Sequence, residues 1–131
     1  MAGRIASEVR SEAQRLIKPG IRIVDICEKV EKSIIEKGGR PAFPCNICVN
    51  EVAAHYSSPP NDRRRIPPES IVKVDLGVHV DGYIADTAVT VSLKPEYDVM
   101  AFAVKRVLDR VIKSVHPNIN TRQLGEIAKD T

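Results

Sequence analysis

The sequence predicts an α+β domain in which an antiparallel β-hairpin sheet is covered by helices on one face. Three observations carry that expectation: two amphipathic segments before residue 38, β-branched-rich segments at 71–80 and 83–92, and the Asp81-Gly82 dipeptide between them. The 131 residues suffice for one domain with a real hydrophobic core. A content of 43 % hydrophobic and 28 % charged residues is that of an ordinary globular chain.

Residues 2 to 17 place Ile5, Val9, Ala13, Leu16 and Ile17 on one helical face, and Pro19-Gly20 stops the helix. A second helix is expected from 23 to 37. Asp25 serves as its N-cap, Ile26, Val30 and Ile34 form its apolar stripe, and Gly38-Gly39 end it. Pro41 and Pro44 exclude helix locally, so "NICVNEVAAH" reads as extended or irregular chain and "SSPPNDRRRIPPES" as a loop. A third helix is expected over 96–115, broken by "HPNIN", and a fourth begins with Thr121 as its cap. The chain ends soon after that start, which reads as a truncated sequence.

A two-residue turn at Asp81-Gly82 pairs Val80 with Tyr83, Val78 with Ala85 and Gly77 with Asp86. Alternation then puts Val74, Leu76, Val78, Val80, Tyr83, Ala85, Val89 and Val91, with Thr87, on the face expected against the helices. The opposite face carries Lys73, Asp75, Gly77, His79, Ile84, Asp86, Ala88 and Thr90. Asp75 and Asp86 become diagonal neighbours with Cβ atoms about 7 Å apart or less. Two carboxylates that close repel, and a cation between them relieves the repulsion. Such hard oxygen donors suit divalent ions, and one bridging carboxylate can hold two. Gly77 is expected to leave the space above the sheet open for them. A polar hairpin face in plain water stays open as the alternative, and a three-residue turn would send Asp86 to the other face.

Other classes are excluded on simpler grounds. A net charge of +3 and a single Arg63-Arg64-Arg65 run, read as a solvated loop, give no case for a specific nucleic-acid partner. No apolar run approaches membrane-spanning length, and the acid-bearing N-terminus lacks a signal-peptide core, so a cytoplasmic protein with no membrane partner is expected. Three cysteines in a reducing compartment predict no disulfide framework. Cys45-x-x-Cys48 reads as two small buried hydrophobes rather than a metal or redox pair.

The blocks "GGRPAFPCNICVNEVAAHYSSPPND" and "VKVDLGVHVDGYIADTAVTV" resemble the type 2 methionine aminopeptidases, especially their archaeal form. The opening "AGRIASEVRSEAQRLIKPG" fits that family's first helix, so the similarity runs along essentially the whole chain. The resemblance implies a pita-bread fold, in which two pseudo-symmetric α/β halves clasp a pair of divalent ions. Residues 1–131 would be the N-terminal half of the catalytic domain. It further implies that Asp75 of "KVDLGVH" is the first metal ligand and Asp86 of "IADTAVTV" the bridging one. His55 of "AAHY" would contact substrate and stabilise the reacting carbonyl, and Phe43 of "AFP" would wall the methionine pocket. The implied activity is removal of the N-terminal methionine from nascent proteins by hydroxide activated at a dinuclear cobalt, manganese, iron or zinc centre. The implied partners are the N-terminal peptide of the nascent protein, the ribosome, and the C-terminal half of the same enzyme.

The chain departs from the family pattern in "NICVN", where N-x-S-x-N is usual, and in "HYSSPP", where "HYTP" is commoner. The remaining implied ligands, a histidine and two glutamates, fall beyond residue 131. Glu126 does not match them, so the isolated chain is expected to be inactive. His79 reads either as support for the metal face or as an exposed hairpin end, His116 as a helix-terminal residue, and Asp81 as part of the turn. Two other readings follow the same fold: a non-catalytic pita-bread protein using the cleft to bind a peptide or macromolecule, and a natural half-protein that pairs with another half.

Overall fold

The computed structural model describes residues 1–131. It divides into two compact units, residues 1–94 and 95–131. The first contains α1 (Ala2–Leu16), α2 (Ile23–Glu36), β1 (Arg40–Val49), β2 (Ile71–Val80) and β3 (Tyr83–Ser92).

On α1 the expected stripe is buried at Ile5, Val9, Ala13 and, just past the helix, Ile17. The α1–α2 turn is fastened to the loop 57–70 by backbone bonds: Gly20 N donates to Ile66 O (2.8 Å), Ile66 N to Ile21 O (2.9 Å) and Ile23 N to Arg64 O (3.0 Å). Ile66 plugs the junction and is fully buried. The N-cap of α2 is Arg22 rather than Asp25. Ile23 and Val24 are both buried, so the core recruits them into the first turn. Asp25 consequently lies inside that turn, ion-paired to Arg22, where a carboxylate complements the helix dipole.

The sheet has the order β1-β2-β3, antiparallel throughout, with β2 in the centre. The expected hairpin register holds, with Val80 opposite Tyr83 and Gly77 opposite Asp86. Asp81 (φ 52°) and Gly82 (φ 84°) both take positive φ, as a type I′ turn requires. Val72, Val74, Leu76 and Val78 are wholly buried. They lie beneath α1 and α2, α1 packing over β2 and β3 and α2 over β1. The buried face stops short of Tyr83, which is 81 % exposed although its cross-strand partner Val80 packs against the core.

β1 takes in Pro41 and Pro44 and shares only residues 46–49 with the segment read as extended or irregular, and it turns the hairpin into a three-stranded sheet. Its pairing with β2 slips between Pro41 and Phe43 and again between Phe43 and Asn46. Pro41 and Pro44 cannot donate to the ladder, and irregular pairing accommodates both.

The second unit contains α3 (Pro95–Ser114) and α4 (Thr121–Lys129). Asn120, not Thr121, caps α4: its side chain accepts from Arg122 N (2.9 Å), and Gln123 Oε1 accepts from Asn120 N (3.3 Å). This capping box satisfies two backbone donors, which moves the cap one residue upstream. No helix of the chain is long and apolar enough to cross a membrane.

Candidate metal centre

Because strand side chains alternate, burying Leu76 and Val78 turns Asp75 and Gly77 to the other face of β2. Asp86 lies opposite Gly77, so Asp75 and Asp86 are diagonal neighbours on the face away from the helices. Asp75 is half-buried and Asp86 exposed. Burial and the charge of Asp86 together raise the pKa of Asp75 above the usual carboxylate range, while a hydrogen bond from the Asn46 side chain and the nearby His55 oppose the rise. A divalent cation relieves this kind of cost, and two carboxylates are hard oxygen donors of the right chemistry. The donor set therefore fits a divalent ion in kind, although no group of three or more His, Cys, Asp or Glu side chains in the chain could hold one alone.

The space above Gly77 is not open. Phe43 pairs with Gly77 across β1 and β2, and its ring covers the glycine. A Cβ built on Gly77 would run into Phe43 Cε1 and lie 2.6 Å from Cδ1. Glycine is there to admit an aromatic ring, which walls the site between the carboxylates and the strand edge. Gly77→Ala should push the ring aside and destabilise the domain by about 1–2 kcal/mol. Urea melts of Gly77→Ala alone and in a Phe43→Ala background check this, since the penalty should largely vanish once the ring is gone.

His55 is exposed and holds φ at 65°, in the left-handed region that few non-glycine residues adopt. The chain after it is pinned to β1. Ile47 N donates to Tyr56 O (3.1 Å), Tyr56 N donates to Cys48 Sγ (3.4 Å), and Ser57 Oγ donates to Asn46 Oδ1 (2.8 Å). These bonds hold His55 near Asp75, where it opposes the rise in the Asp75 pKa. Phe43, Asp75 and Asp86 thus lie on one face of the sheet, with His55 on the loop near Asp75.

His79 is engaged at the turn, its Nδ1 accepting from Gly82 N at 3.4 Å. His116 is exposed beyond α3. The three thiols are free and buried. Cys45 joins the helix-covered core, where contact with the Cys27 thiol and burial push its pKa up. Cys48 shares the face of Asn46, so Cys45 and Cys48 do not form a chelating pair.

Two groups escaped the reading from sequence. Asn46, buried on β1, is the cross-strand partner of Asp75. Asp62 gathers Tyr56 Oη, Ser58 Oγ and Arg64 N around a buried carboxylate. The signal for Asn46 is a lone amide within the apolar run "CNICV". For Asp62 it is the Asn-Asp pair after a double proline.

The chain belongs to metallopeptidase family M24, whose model matches residues 1–131. Among its relatives are proteins named methionine aminopeptidase: that of Methanocaldococcus jannaschii is 49 % identical over 98 % of this chain, which spans 44 % of the relative. That of Methanothermus fervidus is 41 % identical over 99 % of this chain and 76 % of its own. A solved methionine aminopeptidase from Rickettsia prowazekii superposes with a TM-score of 0.87 at 18 % identity, covering 98 % of this chain and 55 % of that one. The fold is accordingly the α+β architecture of the pita-bread peptidases. The chain spans less than half the length of most of the curated relatives it resembles.

Proposed function

We propose that residues 1–131 form the N-terminal half of a metal-dependent methionine aminopeptidase acting on the N-terminal peptide of nascent proteins. One observation carries the reading: Asp75 and Asp86 face the same side of the β2–β3 ribbon, where Asp75 is half-buried against a like charge. The relatives named methionine aminopeptidase support the substrate.

Asp75 and Asp86 would hold a pair of divalent ions, cobalt, manganese, iron or zinc, together with ligands from outside this chain. When bound, such ions supply Lewis-acid activation of water at neutral pH. His55 presents its imidazole from a pinned, positive-φ position beside that face, able to donate to the oxygen of the scissile carbonyl. Phe43, laid over Gly77, offers an apolar wall to an unbranched side chain and excludes water from it. The remaining ligands would come from a C-terminal half. Nascent chains emerge from ribosomes, so the reading extends to a cytoplasmic enzyme working at or near them. A non-catalytic binding role would leave the repelling Asp75–Asp86 pair without a purpose.

The isolated chain should release no methionine from a Met-Gly-containing peptide with cobalt or manganese. Joined to the C-terminal segment of the Methanocaldococcus relative, it should release methionine, and Asp86→Ala should abolish that release. Circular dichroism confirms folding. A folded chimera that is inactive, or turnover that survives Asp86→Ala, would overturn the reading.

A further inference from the structure

A carboxylate ligand needs a fixed direction as well as a position, and hydrogen bonds from a surrounding shell usually supply it. Asn46 stands opposite Asp75 in the β1–β2 register and is only 7 % exposed. On its other side Asn46 forms a β-bridge with Ser57, whose hydroxyl donates to Asn46 Oδ1 at 2.8 Å. An amide has one accepting end and one donating end, and a carboxylate only accepts. With Oδ1 engaged by Ser57, the donating Nδ2 end is left for Asp75. Ser57 follows His55 by two residues, and Tyr56 between them is bonded to β1 through both its N–H and its carbonyl.

We propose that Asn46 is a positioning residue: its amide, oriented by Ser57, aims the Asp75 carboxylate at a divalent cation and ties that aim to the segment carrying His55. The inference rests on reading Asp75 and Asp86 as metal ligands. An aspartate at 46 would add a third repelling charge, and an aliphatic residue would leave Asp75 free to rotate. The amide does neither.

The test uses the chain joined to the C-terminal segment of the Methanocaldococcus relative, which would complete the donor set, with Mn²⁺ as the probe, read by NMR. In the wild type one Asn46 side-chain amide proton should resonate downfield and exchange slowly, and Asp75→Ala should abolish both properties. Paramagnetic broadening of Asp75 and Asp86 should require about tenfold more Mn²⁺ in Asn46→Ala and about threefold more in Ser57→Ala. The double variant should be no worse than Asn46→Ala, because both act through one chain of bonds. Unchanged core methyl resonances show that the variants fold. Should Asn46→Ala unfold, the amide measurement and Ser57→Ala decide the matter. An Asn46 amide indifferent to Asp75→Ala, or Mn²⁺ binding indifferent to both substitutions, overturns the proposal and leaves Asp75 and Asp86 as ligands. Mn²⁺ that broadens neither aspartate in the wild type overturns the metal reading and this inference together.

Discussion

Leu76→Ala should cost the domain about 3–4 kcal/mol, a large part of the 5–15 kcal/mol that holds a typical domain folded. Leu76 is fully buried on the central strand, with α1 across the sheet face from it. Its cross-strand partner Thr87 is itself tied to α1, accepting from Arg10 Nη1 at 2.7 Å. A truncated side chain there leaves a cavity whose walls belong to different elements, so none can collapse to fill it alone. Ile84, on the opposite face and exposed, is the control, and Ile84→Ala should change stability by less than about 0.5 kcal/mol. Urea melts of both variants read the difference. Equal losses would mean that the helix-covered face is not the main core. The substitution also bears on the site, because Leu76 sits between Asp75 and Gly77 and its burial turns both neighbours the other way.

That alternation explains why the hairpin and its acidic pair were legible in the sequence. Period two, a dipeptide that accepts two positive φ values and a fixed loop length specify register with no tertiary information. The face shared by Asp75 and Asp86 follows from these alone. Phe43 is a different case. It was named through a family resemblance, but its seat on Gly77 depends on a strand whose prolines hide its extended pairing from any local pattern. The helix caps were misplaced for a related reason. Asp25 has the chemistry of an N-cap, yet Ile23 and Val24 have a core to fill, and burying them outweighs one capping bond. Asn46 and Asp62 carry no periodic signal. Each matters through partners 29, 11 or six residues away (Asp75 and Ser57 for the first, Tyr56 for the second), and only the folded chain brings these together.

Asp62→Asn should loosen the His55 segment, cost about 2–3 kcal/mol and flatten the acid limb of stability. Asp62 is 8 % exposed and accepts from Tyr56 Oη, from Ser58 Oγ (2.9 Å) and from Arg64 N (2.9 Å). The Arg64 guanidinium stacks over the Tyr56 ring, 4.6 Å from its centroid. Burial pushes the Asp62 pKa up, but these donors and Arg64 outweigh it and hold the carboxyl below the usual range. A folded pKa below the unfolded value means that the unfolded chain binds the proton more tightly. The stabilisation is therefore present above the unfolded value of about 3.9 and is lost as pH falls through the lower folded value. Tyr56 moves the other way. Its bond to Asp62 and its burial raise the phenol's pKa, so its share is present below about pH 10 and fades as pH rises through the folded value. Asparagine turns an acceptor into a part-donor and leaves at least one of the three donors unsatisfied. The Tyr56 titration, followed by ultraviolet absorbance, should then shift down. Amide exchange should quicken across residues 55–65 while β2 and β3 stay protected, because their ladder does not pass through Asp62. Uniform quickening across the sheet would show instead that Asp62 supports the whole core, and the link from this carboxylate to the placement of His55 would be lost.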